Sequence, residues 1–389
     1  MKVAKGYKRT DIGIIPEDWE VQKLKSVCKL INGRGFKPHE WRKDGLPIIR
    51  IQNLNGSEDF NYYKGAFNSK ILVEEGQLLF AWSGSRGTSF GPHIWNGKNA
   101  LLNYHTWKVN IVEQKIDKEY FLHLLKLLTR KIEEKAHGAS ALVHTQKGEM
   151  ENFEFPFPTS RIEQIEIASK LTDADIHIST LGKLIAKKKN IKQGTMHLLL
   201  SGKNKLKGFN AIWKENKLRE VAEIKKGKQI NKDELTANDI FPVINGGIEP
   251  SGYTDKFNTK ENTITISEGG NSCGYVSYQT QNFWSGGHCY TIENIQNAIL
   301  KTFLYHLLKF KEKQIMELRV GSGLPNIQKN RLADFPLSIP PFREQETISE
   351  ILTDIDLEIR VLQEQLSKYK LVKEAMMQSL LTGNIRLSI

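Results

Sequence analysis

The sequence lacks the long apolar run that a membrane-spanning helix needs, since no stretch of about 18 consecutive apolar residues occurs. Cysteine is scarce as well. Cys28, Cys273 and Cys289 are odd in number and share no C-x-x-C spacing, which predicts neither a disulfide framework nor a metal site. His288 stands beside Cys289, but a fourth metal ligand is missing. We expect a cytoplasmic protein with reduced thiols, no membrane attachment and no bound metal.

Signatures of nucleotide binding and catalysis are also missing. The glycine-rich residues 83–87 and 268–272 fit neither G-x-x-x-x-G-K-[ST] nor G-x-G-x-x-G. Residues 339–342 look like the Pro-Pro signature of amino-methyltransferases, but that chemistry needs a polar side chain where Ile339 stands. No nucleophile elbow is indicated. We therefore predict no catalytic residue and disfavour a stand-alone methyltransferase or nuclease, although a carboxylate cluster assembled from distant positions stays open.

Positively charged residues outnumber negatively charged ones. The 389 residues include 56 Lys and Arg against 44 Asp and Glu, a net charge of +12. Such a balance favours a polyanionic partner such as DNA, RNA or an anionic membrane. A soluble protein that is basic for no functional reason is the alternative at this point.

An internal repeat organises the chain. Residues 163–206 align with residues 344–387 at a constant offset of 181 positions, without a gap. The identical pairs are Glu163/Glu344, Gln164/Gln345, Ile167/Ile348, Leu171/Leu352, Thr172/Thr353, Asp173/Asp354, Asp175/Asp356, Ile178/Ile359, Leu181/Leu362, Lys189/Lys370, Lys192/Lys373, Met196/Met377, Leu199/Leu380 and Gly202/Gly383. Further upstream, Trp19, Leu24, Val27 and Gly33 match Trp213, Leu218, Val221 and Gly227.

The repeat predicts the domain organisation. Residues of about 34–118 and 228–298 hardly resemble one another, whereas the segments around them do. We predict an α+β protein with a mixed α/β recognition domain over residues 1–155 and a second over 207–335. Two long spacer helices are expected at 156–206 and 336–389. Strands are predicted at 46–54, 77–81 and 263–267. A similar frame with dissimilar contents suits recognition of two different targets.

The long helices carry apolar residues at heptad spacing, which predicts a coiled-coil seam. Its members are Ile167, Leu171, Ile178 and Leu181 in the first copy and Ile348, Leu352, Ile355, Ile359 and Leu362 in the second. Two such seams in one chain that folds back favour an antiparallel pair. Gly202 and Gly383 are the expected C-terminal stops.

Polar side chains of the kinds that contact bases and phosphates occur in both halves. The candidate DNA-binding residues are Arg34, Lys37, Arg50, Gln52, Asn53, Ser85, Arg86, Gln146 and Lys147 in the first half, and Lys226, Lys228, Asn245, Asn271, His288, Gln328 and Lys329 in the second. For each one a solvated surface position is the alternative. The recurrence of Gln-Lys at 146–147 and 328–329 favours a shared role facing DNA.

These features resemble the specificity subunit of type I restriction-modification systems. The resemblance is carried by residues 16–19 (Pro-Glu-Asp-Trp) with Leu24 and Gly33, by residues 47–53, and by both copies of Pro…Glu-Gln…Ile…Leu…Asp…Ile that end in Leu-Leu-Ser/Thr-Gly. It covers essentially the whole chain. It implies two target recognition domains in an inverted, pseudo-twofold arrangement, each recognising half of an asymmetric bipartite site in double-stranded DNA.

The resemblance also implies partners. Two methyltransferase (modification) subunits would dock on the helical spacer, and motor-nuclease (restriction) subunits would join the larger complex. S-adenosylmethionine is expected on those partners, and no cofactor on this chain. The alternative hypothesis is a coiled-coil scaffold whose basic charge is incidental. Salt-dependent binding to one duplex sequence over others would separate the two.

Overall fold

The computed structural model describes residues 3–135, 142–203, 206–321 and 323–387. Contacts divide the chain into two units. The first comprises Met1–Leu181 and Gln365–Ile389, and the second comprises Gly182–Glu364. Each unit therefore contains one globular body and a part of each long helix.

The first body is built mainly of short strands separated by glycine- and asparagine-rich turns. Its strands are β1 Tyr7–Thr10, β2 Gly13–Pro16, β3 Trp19–Lys23, β4 Cys28–Asn32, β5 Leu46–Ile49, β6 Asn61–Tyr63, β7 Leu72–Val73, β8 Leu78–Ala81, β9 Ser83–Ser85, β10 Gly91–Ile94, β11 Ala100–Leu102, β12 Thr106–Ile111, β13 Leu142–His144 and β14 Glu154–Pro158. Its helices are α1 Leu24–Val27, α2 Ile51–Leu54, α3 Lys118–Lys135 and α4 Lys147–Glu151, followed by α5 Arg161–Leu200, which continues into the second unit.

The two largest sheets of the first body have four strands each. One has the antiparallel order β10-β8-β12-β4, and the other has the order β6-β5-β11-β7 with a parallel β5–β11 pair. Side chains of the first sheet, such as Phe80 and Trp107, are buried in one core with Tyr120 and Phe121 of α3. Leu79 points to the opposite face and joins a second core, as the alternation of a strand requires.

The second body repeats this plan with fewer strands. Its strands are β15 Lys214–Lys217, β16 Glu223–Lys226, β17 Phe241–Ile244, β18 Tyr253–Thr254, β19 Thr263–Ser267, β20 Val276–Gln279, β21 Trp284–Ser285, β22 Cys289–Glu293 and β23 Pro336–Ile339. Its helices are α6 Leu218–Val221, α7 Lys301–Phe310, α8 Glu312–Met316 and α9 Lys329–Ala333, followed by α10 Phe342–Leu380.

The two bodies share strand connectivity. The antiparallel order β16-β22-β19-β20 in the second body corresponds to β4-β12-β8-β10 in the first. The parallel pair β17–β21 corresponds to β5–β11, and β15–β23 corresponds to β3–β14. The mixed α+β architecture with two repeated domains is therefore confirmed. The two domains share the order and pairing of their strands.

The long helices α5 and α10 have 40 and 39 residues. Each is followed by a glycine with positive φ, 70° at Gly202 and 75° at Gly383, as expected for a left-handed helix stop. The prolines that precede the helices belong to the entering strands β14 and β23 or, at Pro340 and Pro341, directly precede α10.

The predicted seam is only partly a helix–helix contact. Ile167 and Leu171 are buried in the core of the first body, together with Met377 and Leu380 from the end of α10. In the second unit the same arrangement occurs with the roles of the helices exchanged. The members of that core are Ile348, Leu352, Met196 and Leu200. Within each unit, the start of one helix and the end of the other thus close the core of the body.

Further along the helices the seam is less uniform. Leu181 and Ile359 are buried, whereas Ile178, Ile355 and Leu362 are half-buried. Within each unit the polar contacts join the start of one helix to the end of the other, as an antiparallel pair requires. In the second unit Lys188 Nζ lies 2.5 Å from the Glu358 carboxylate.

A buried glutamine joins the first body to the start of α5. Gln164 is fully buried, and its Oε1 accepts a hydrogen bond from the N–H of Asp117 at 2.8 Å, just before α3. Its Nε2 donates to the carbonyls of Pro158 (3.0 Å) and Lys115 (3.2 Å). One side chain therefore satisfies three backbone groups, which come from the strand before α5 and from the segment before α3.

Gln345 does the same at the start of α10. Its Oε1 accepts from the N–H of Leu300 at 2.8 Å, and its Nε2 donates to the carbonyls of Pro340 (2.9 Å) and Ala298 (3.1 Å). The residue before each glutamine is a buried glutamate that accepts from a tryptophan indole. The pairs are Trp19 with Glu163 at 3.0 Å and Trp213 with Glu344 at 3.3 Å. The repeated Trp and Glu-Gln signals are thus one structural device.

The repeated Asp and Lys residues pair across the two helices. In the first unit Asp175 of α5 forms an ion pair with Lys373 of α10 and another with Lys126 of α3 at 3.0 Å. In the second unit Asp356 of α10 pairs with Lys192 of α5. Burial raises the pKa of Asp175, but hydrogen bonds from Lys373 and Lys126 outweigh it and leave the pKa below its ordinary value.

Each body also places a buried histidine against its long helix. His123 Nε2 lies 3.0 Å from Thr172 Oγ1, and His306 Nε2 lies 3.2 Å from Thr353 Oγ1. Burial lowers the pKa of both imidazoles to about 4, so both are neutral near pH 7.

The Gln164→Leu variant should lower the free energy of unfolding of the first unit by about 2–4 kcal/mol. The apolar side chain fills the same space but leaves one N–H and two carbonyls without this partner, at up to about 1–3 kcal/mol each before relaxation. Urea denaturation measures the effect. Gln193→Leu, at an exposed position of the same helix, is the matched control and should change stability by less than about 0.5 kcal/mol. Equal losses in both variants would contradict the role of Gln164.

Acid should destabilise the protein through the buried histidines. Their pKa is about 6.5 in the unfolded chain and about 4 when folded. The unfolded state therefore binds more protons in this window, and stability present above pH 6.5 is lost as the pH falls towards 4. Each histidine contributes a slope of up to about 1.4 kcal/mol per pH unit. Urea midpoints between pH 4 and 7 should fall less steeply for His306→Gln, and no less steeply for His39→Gln at an exposed position. Identical slopes in His306→Gln and the parent protein would rule this out.

Candidate nucleic-acid interface

In the second body, one strand of the four-stranded sheet ends at a residue held by two backbone hydrogen bonds. Glu268 directly follows β19. Its N–H donates to the carbonyl of His288 at 2.8 Å, and its carbonyl accepts from the N–H of Ile327 at 2.8 Å. These bonds fix the start of the glycine-rich turn at residues 268–272 against two other chain segments.

The first body contains the same arrangement with a different side chain. Trp82 directly follows β8, its N–H donates to the carbonyl of His105 at 3.2 Å, and its carbonyl accepts from the N–H of Thr145 at 3.0 Å. We call Trp82 and Glu268 the junction residues. They occupy equivalent places in the two backbone plans and differ completely in chemistry.

A glycine in each body allows two chain segments to meet beside the junction residue. A Cβ at Gly33 would lie 2.0 Å from a facing backbone carbonyl oxygen, and one at Gly227 would lie 2.3 Å from the equivalent oxygen. Both positions therefore require glycine. The next residues, Arg34 and Lys228, are predicted DNA contacts, and the close approach at the glycine fixes the position of the backbone from which each side chain extends.

The structure brings several predicted residues of the second body together around the Glu268 carboxylate. Lys226 Nζ lies 2.6 Å from Oε1, and His288 Nδ1 lies 3.5 Å from Oε2. The Tyr290 hydroxyl donates to Oε1 at 3.2 Å from the core side. Asn245 Oδ1 accepts from the backbone N–H of His288 at 3.1 Å, which holds that loop in place. We call Lys226, His288 and Glu268 the second-body cluster.

The other predicted residues of the second body are exposed, and several of them are close in sequence to residues of this cluster or to their bonding partners. Asn271 lies in the turn that follows Glu268, and Gln328 follows Ile327, which is bonded to the Glu268 carbonyl. Lys228 and Lys329 are exposed as well. Exposed cationic and amide side chains of this kind suit contacts with phosphates and base edges.

Two predicted arginines of the first body are held by neighbouring side chains. Arg34 pairs with Glu40, and its guanidinium lies 4.8 Å and 4.9 Å from the ring centres of Phe36 and Tyr63. A hydrogen bond with Tyr63 raises the pKa of Arg34, and the carboxylate of Glu40 adds to this effect. The guanidinium is thus ordered before any ligand binds.

Arg50 is oriented in a similar way. Its Nη1 donates to Asn61 Oδ1 at 2.8 Å, and its guanidinium lies 5.2 Å from the Trp41 ring centre. The neighbouring Gln52 donates to the carbonyl of Asp59 at 3.2 Å.

Asn53 does not fit its predicted role. The predicted strand over 46–54 ends at Ile49, and the chain turns into α2, which leaves Asn53 only 8% exposed. Its Oδ1 accepts from the N–H of Arg50 at 2.9 Å, and its Nδ2 donates to the carbonyls of Ser57 and Asp59 at 3.0 Å. Since both donors are occupied inside the loop, Asn53 shapes the loop that carries Arg50 and does not face a ligand.

Lys37, Ser85 and Arg86 are exposed in the first body. Ser85 is the last residue of β9, and its N–H donates to Ser89 Oγ at 2.7 Å across the turn that follows. This turn therefore corresponds to the one that contains Asn271.

The recurring Gln-Lys pairs begin short helices. Gln146 and Gln328 are the N-cap residues of α4 and α9, and both are exposed. Lys147 lies 3.6 Å from the Glu151 carboxylate one helical turn further on. The recurrence thus has a structural reason beside the predicted DNA contact, which stays a prediction.

Sequence reasoning missed the junction residues and His105. Trp82 and Glu268 align only through backbone bonds between distant segments, and the loop lengths between those segments differ in the two halves. Two signals were available. The matched Gly33 and Gly227 mark the same strand end in both bodies, and the glycine-rich residues 83–87 and 268–272 follow the predicted strands 77–81 and 263–267 in corresponding places.

The cysteines of the second body belong to its core. Cys273 and Cys289 are buried and unpaired, and burial raises the pKa of Cys289 to about 12. Among the residues that the structure describes, no group of three or more His, Cys, Asp or Glu side chains could hold a metal ion. Within the same residues, no helix is long and apolar enough to cross a membrane.

Comparisons with known proteins agree with this geometry. The family model described as the type I restriction modification DNA specificity domain matches twice, over residues 16–208 and 210–368. A type I restriction enzyme specificity subunit of Methanocaldococcus jannaschii is 26% identical over 416 aligned positions, which cover 96% of this chain and 94% of that protein. A putative type I specificity subunit of Mycoplasma pneumoniae is 32% identical over 44% of this chain and 46% of its own.

The fold is also found in solved structures. The crystal structure of a type I restriction-modification S subunit from M. genitalium superposes with a TM-score of 0.66 at 20% identity, covering 98% of both chains. Two consecutive matches to one family model account for the internal repeat, since the first spans a body and the whole of α5 and the second spans a body and most of α10. The chain therefore belongs to the family of type I restriction-modification DNA specificity subunits.

Proposed function

We propose that each body recognises one half of an asymmetric, bipartite site in double-stranded DNA. The observation that carries this proposal is the pair of junction residues. The same backbone plan holds Trp82 in one body and Glu268 in the other, each followed by an exposed polar turn. Similar frames with unlike side chains would place two different recognition surfaces in equivalent positions, and two unlike half-sites are the natural target.

Electrostatics support DNA as the partner. The chain carries a net charge of +12, and exposed cations occur in both bodies. Lys37 and Arg86 in the first body, and Lys228 and Lys329 in the second, are proposed phosphate contacts. Arg34, Arg50, Lys226 and His288 are held by neighbouring groups and are the proposed base contacts.

The chemistry is proposed to reside in partner subunits. Pro340 and Pro341 precede α10, and the Pro340 carbonyl accepts from Gln345, so this segment serves as a helix entry. We expect two modification subunits, which would carry S-adenosylmethionine, and motor-nuclease subunits in the larger complex. Exposed apolar side chains of the long helices, such as Ile176, Leu198 and Leu371, are suited to such docking. The proposed setting is the cytoplasm.

Selection from a random duplex library tests the function directly. The full-length chain, alone and together with its modification subunits, should enrich two unlike short sequences separated by bases that vary freely. Binding should weaken steeply with salt, because each phosphate contact releases counterions. A library of the same composition without the enriched sequences is the control. Enrichment of no sequence in either form, or salt-independent binding, would favour a scaffold whose charge is incidental.

A further inference from the structure

The second-body cluster contains a buried carboxylate where a DNA-binding surface would be expected to avoid negative charge. The Glu268 side chain is 11% exposed, whereas its partner side chains Lys226 and His288 are 52% and 63% exposed. The carboxylate therefore lies beneath two solvent-facing nitrogen groups. A carboxylate in this place is unfavourable for phosphate binding unless it is neutralised, and Lys226 neutralises it.

The two oxygens of Glu268 have unequal surroundings. Oε1 accepts from Lys226 and from the Tyr290 hydroxyl. Oε2 is buried, has no hydrogen-bond partner among the described residues, and faces His288 Nδ1 at 3.5 Å. The remaining acceptor capacity of the carboxylate therefore lies beside the imidazole.

A purely structural role does not explain this residue. The backbone bonds that fix the junction are made equally well by Trp82 in the first body, where the side chain is an indole. The Trp82 Nε1 donates to the Tyr104 carbonyl at 2.9 Å, and its ring lies 5.4 Å from that of His105. The backbone arrangement therefore accepts different side chains at the junction. The presence of glutamate at position 268 must be explained by the groups that surround its carboxylate.

We propose that Glu268 is a positioning residue for base recognition by the second body. It holds the Lys226 ammonium in place as a hydrogen-bond donor for O6 and N7 of the guanine of one G·C pair, with the His288 ring beside it. Guanine presents two acceptors, O6 and N7, to the major groove, and cationic donors are their commonest protein partners. The proposal rests on the proposed function, since it names the base chemistry of one half-site.

Preorganisation is the physical basis. A lysine side chain has several rotatable bonds, and an unpaired ammonium would have to be ordered when DNA binds. The 2.6 Å bond to Glu268 orders it beforehand. Replacing the carboxylate by an amide keeps the shape and the acceptor for Tyr290, but removes the charge that fixes Lys226.

The matched variants are Glu268→Gln, Lys226→Gln and Lys225→Gln. Lys225 is the neighbour of Lys226 on β16, and it pairs with Glu293 at 2.7 Å and Glu223 at 3.6 Å instead of with Glu268. Successive side chains of a strand point to opposite faces. Lys225→Gln therefore removes the same charge from the same strand without touching the cluster.

Each full-length variant is passed through the duplex selection, and its melting temperature is measured. Glu268→Gln and Lys226→Gln should both relax the preference at one G·C pair of one half-site by roughly five- to 150-fold, leaving the other half-site unchanged. Lys225→Gln should keep every base preference. If Glu268→Gln melts too early to be used, Lys226→Gln changes an exposed side chain and still decides the question.

A base analogue then tests the donor–acceptor contact. The selected duplex with 7-deazaguanine at that position lacks the N7 acceptor but keeps the base pair. It should bind the parent chain more weakly than the unmodified duplex and bind Lys226→Gln equally well. An equal loss for both proteins would show that Lys226 does not contact N7, which overturns the proposal.

Two failures are distinguishable. If the parent chain selects no sequence, the proposed DNA recognition itself is wrong. If the parent selects a bipartite site but Glu268→Gln and Lys226→Gln keep all its base preferences, DNA recognition holds and the role of Glu268 is refuted. A uniform loss of affinity at every base, with preferences intact, would also refute it, because that outcome indicates a general structural or electrostatic contribution.

Discussion

The structure depends on one buried side chain at the start of each long helix. Gln164 and Gln345 each satisfy one N–H and two carbonyls, which come from the helix entry and from the segment before α3 or α7. No apolar residue of that size could do this, because it offers neither a donor nor an acceptor to the three backbone groups. The glutamine thereby fixes the angle at which a variable body leaves a constant helix, and the same geometry occurs in both units.

Around this contact the repeated segments form a common frame, and the bodies that the frame carries differ in sequence. Asp175 pairs with Lys373 and Asp356 pairs with Lys192, so each copy of the repeat supplies the partner for the other copy. This explains why acidic and basic positions recur together at a constant offset. The side chains of the bodies can differ because main-chain hydrogen bonds, which do not depend on the side chain, hold the equivalent positions in place. Trp82 and Glu268 make the same two main-chain hydrogen bonds with unlike side chains.

The sequence predicted the features that arise from local periodicity. Heptad spacing, the glycine stops and the offset of 181 positions between Glu163 and Glu344 located both long helices and the doubled α+β plan. It could not predict the junction residues, because their equivalence depends on hydrogen bonds between segments far apart in the chain. Asn53 was assigned to a ligand surface for a related reason. Its burial follows from a loop that returns to it, which no local pattern indicates. The individual DNA contacts stay predictions.

The central claim is that the two bodies are independent recognition elements on a constant frame. Replacing residues 228–298 with the corresponding segment of another family member, while keeping Gln345 and both long helices, tests it most directly. Duplex selection with the exchanged full-length chain should give a site in which one half-site is new and the other is unchanged. If both half-sites changed, or if neither did, recognition would not be divided between the two bodies and the account would be wrong.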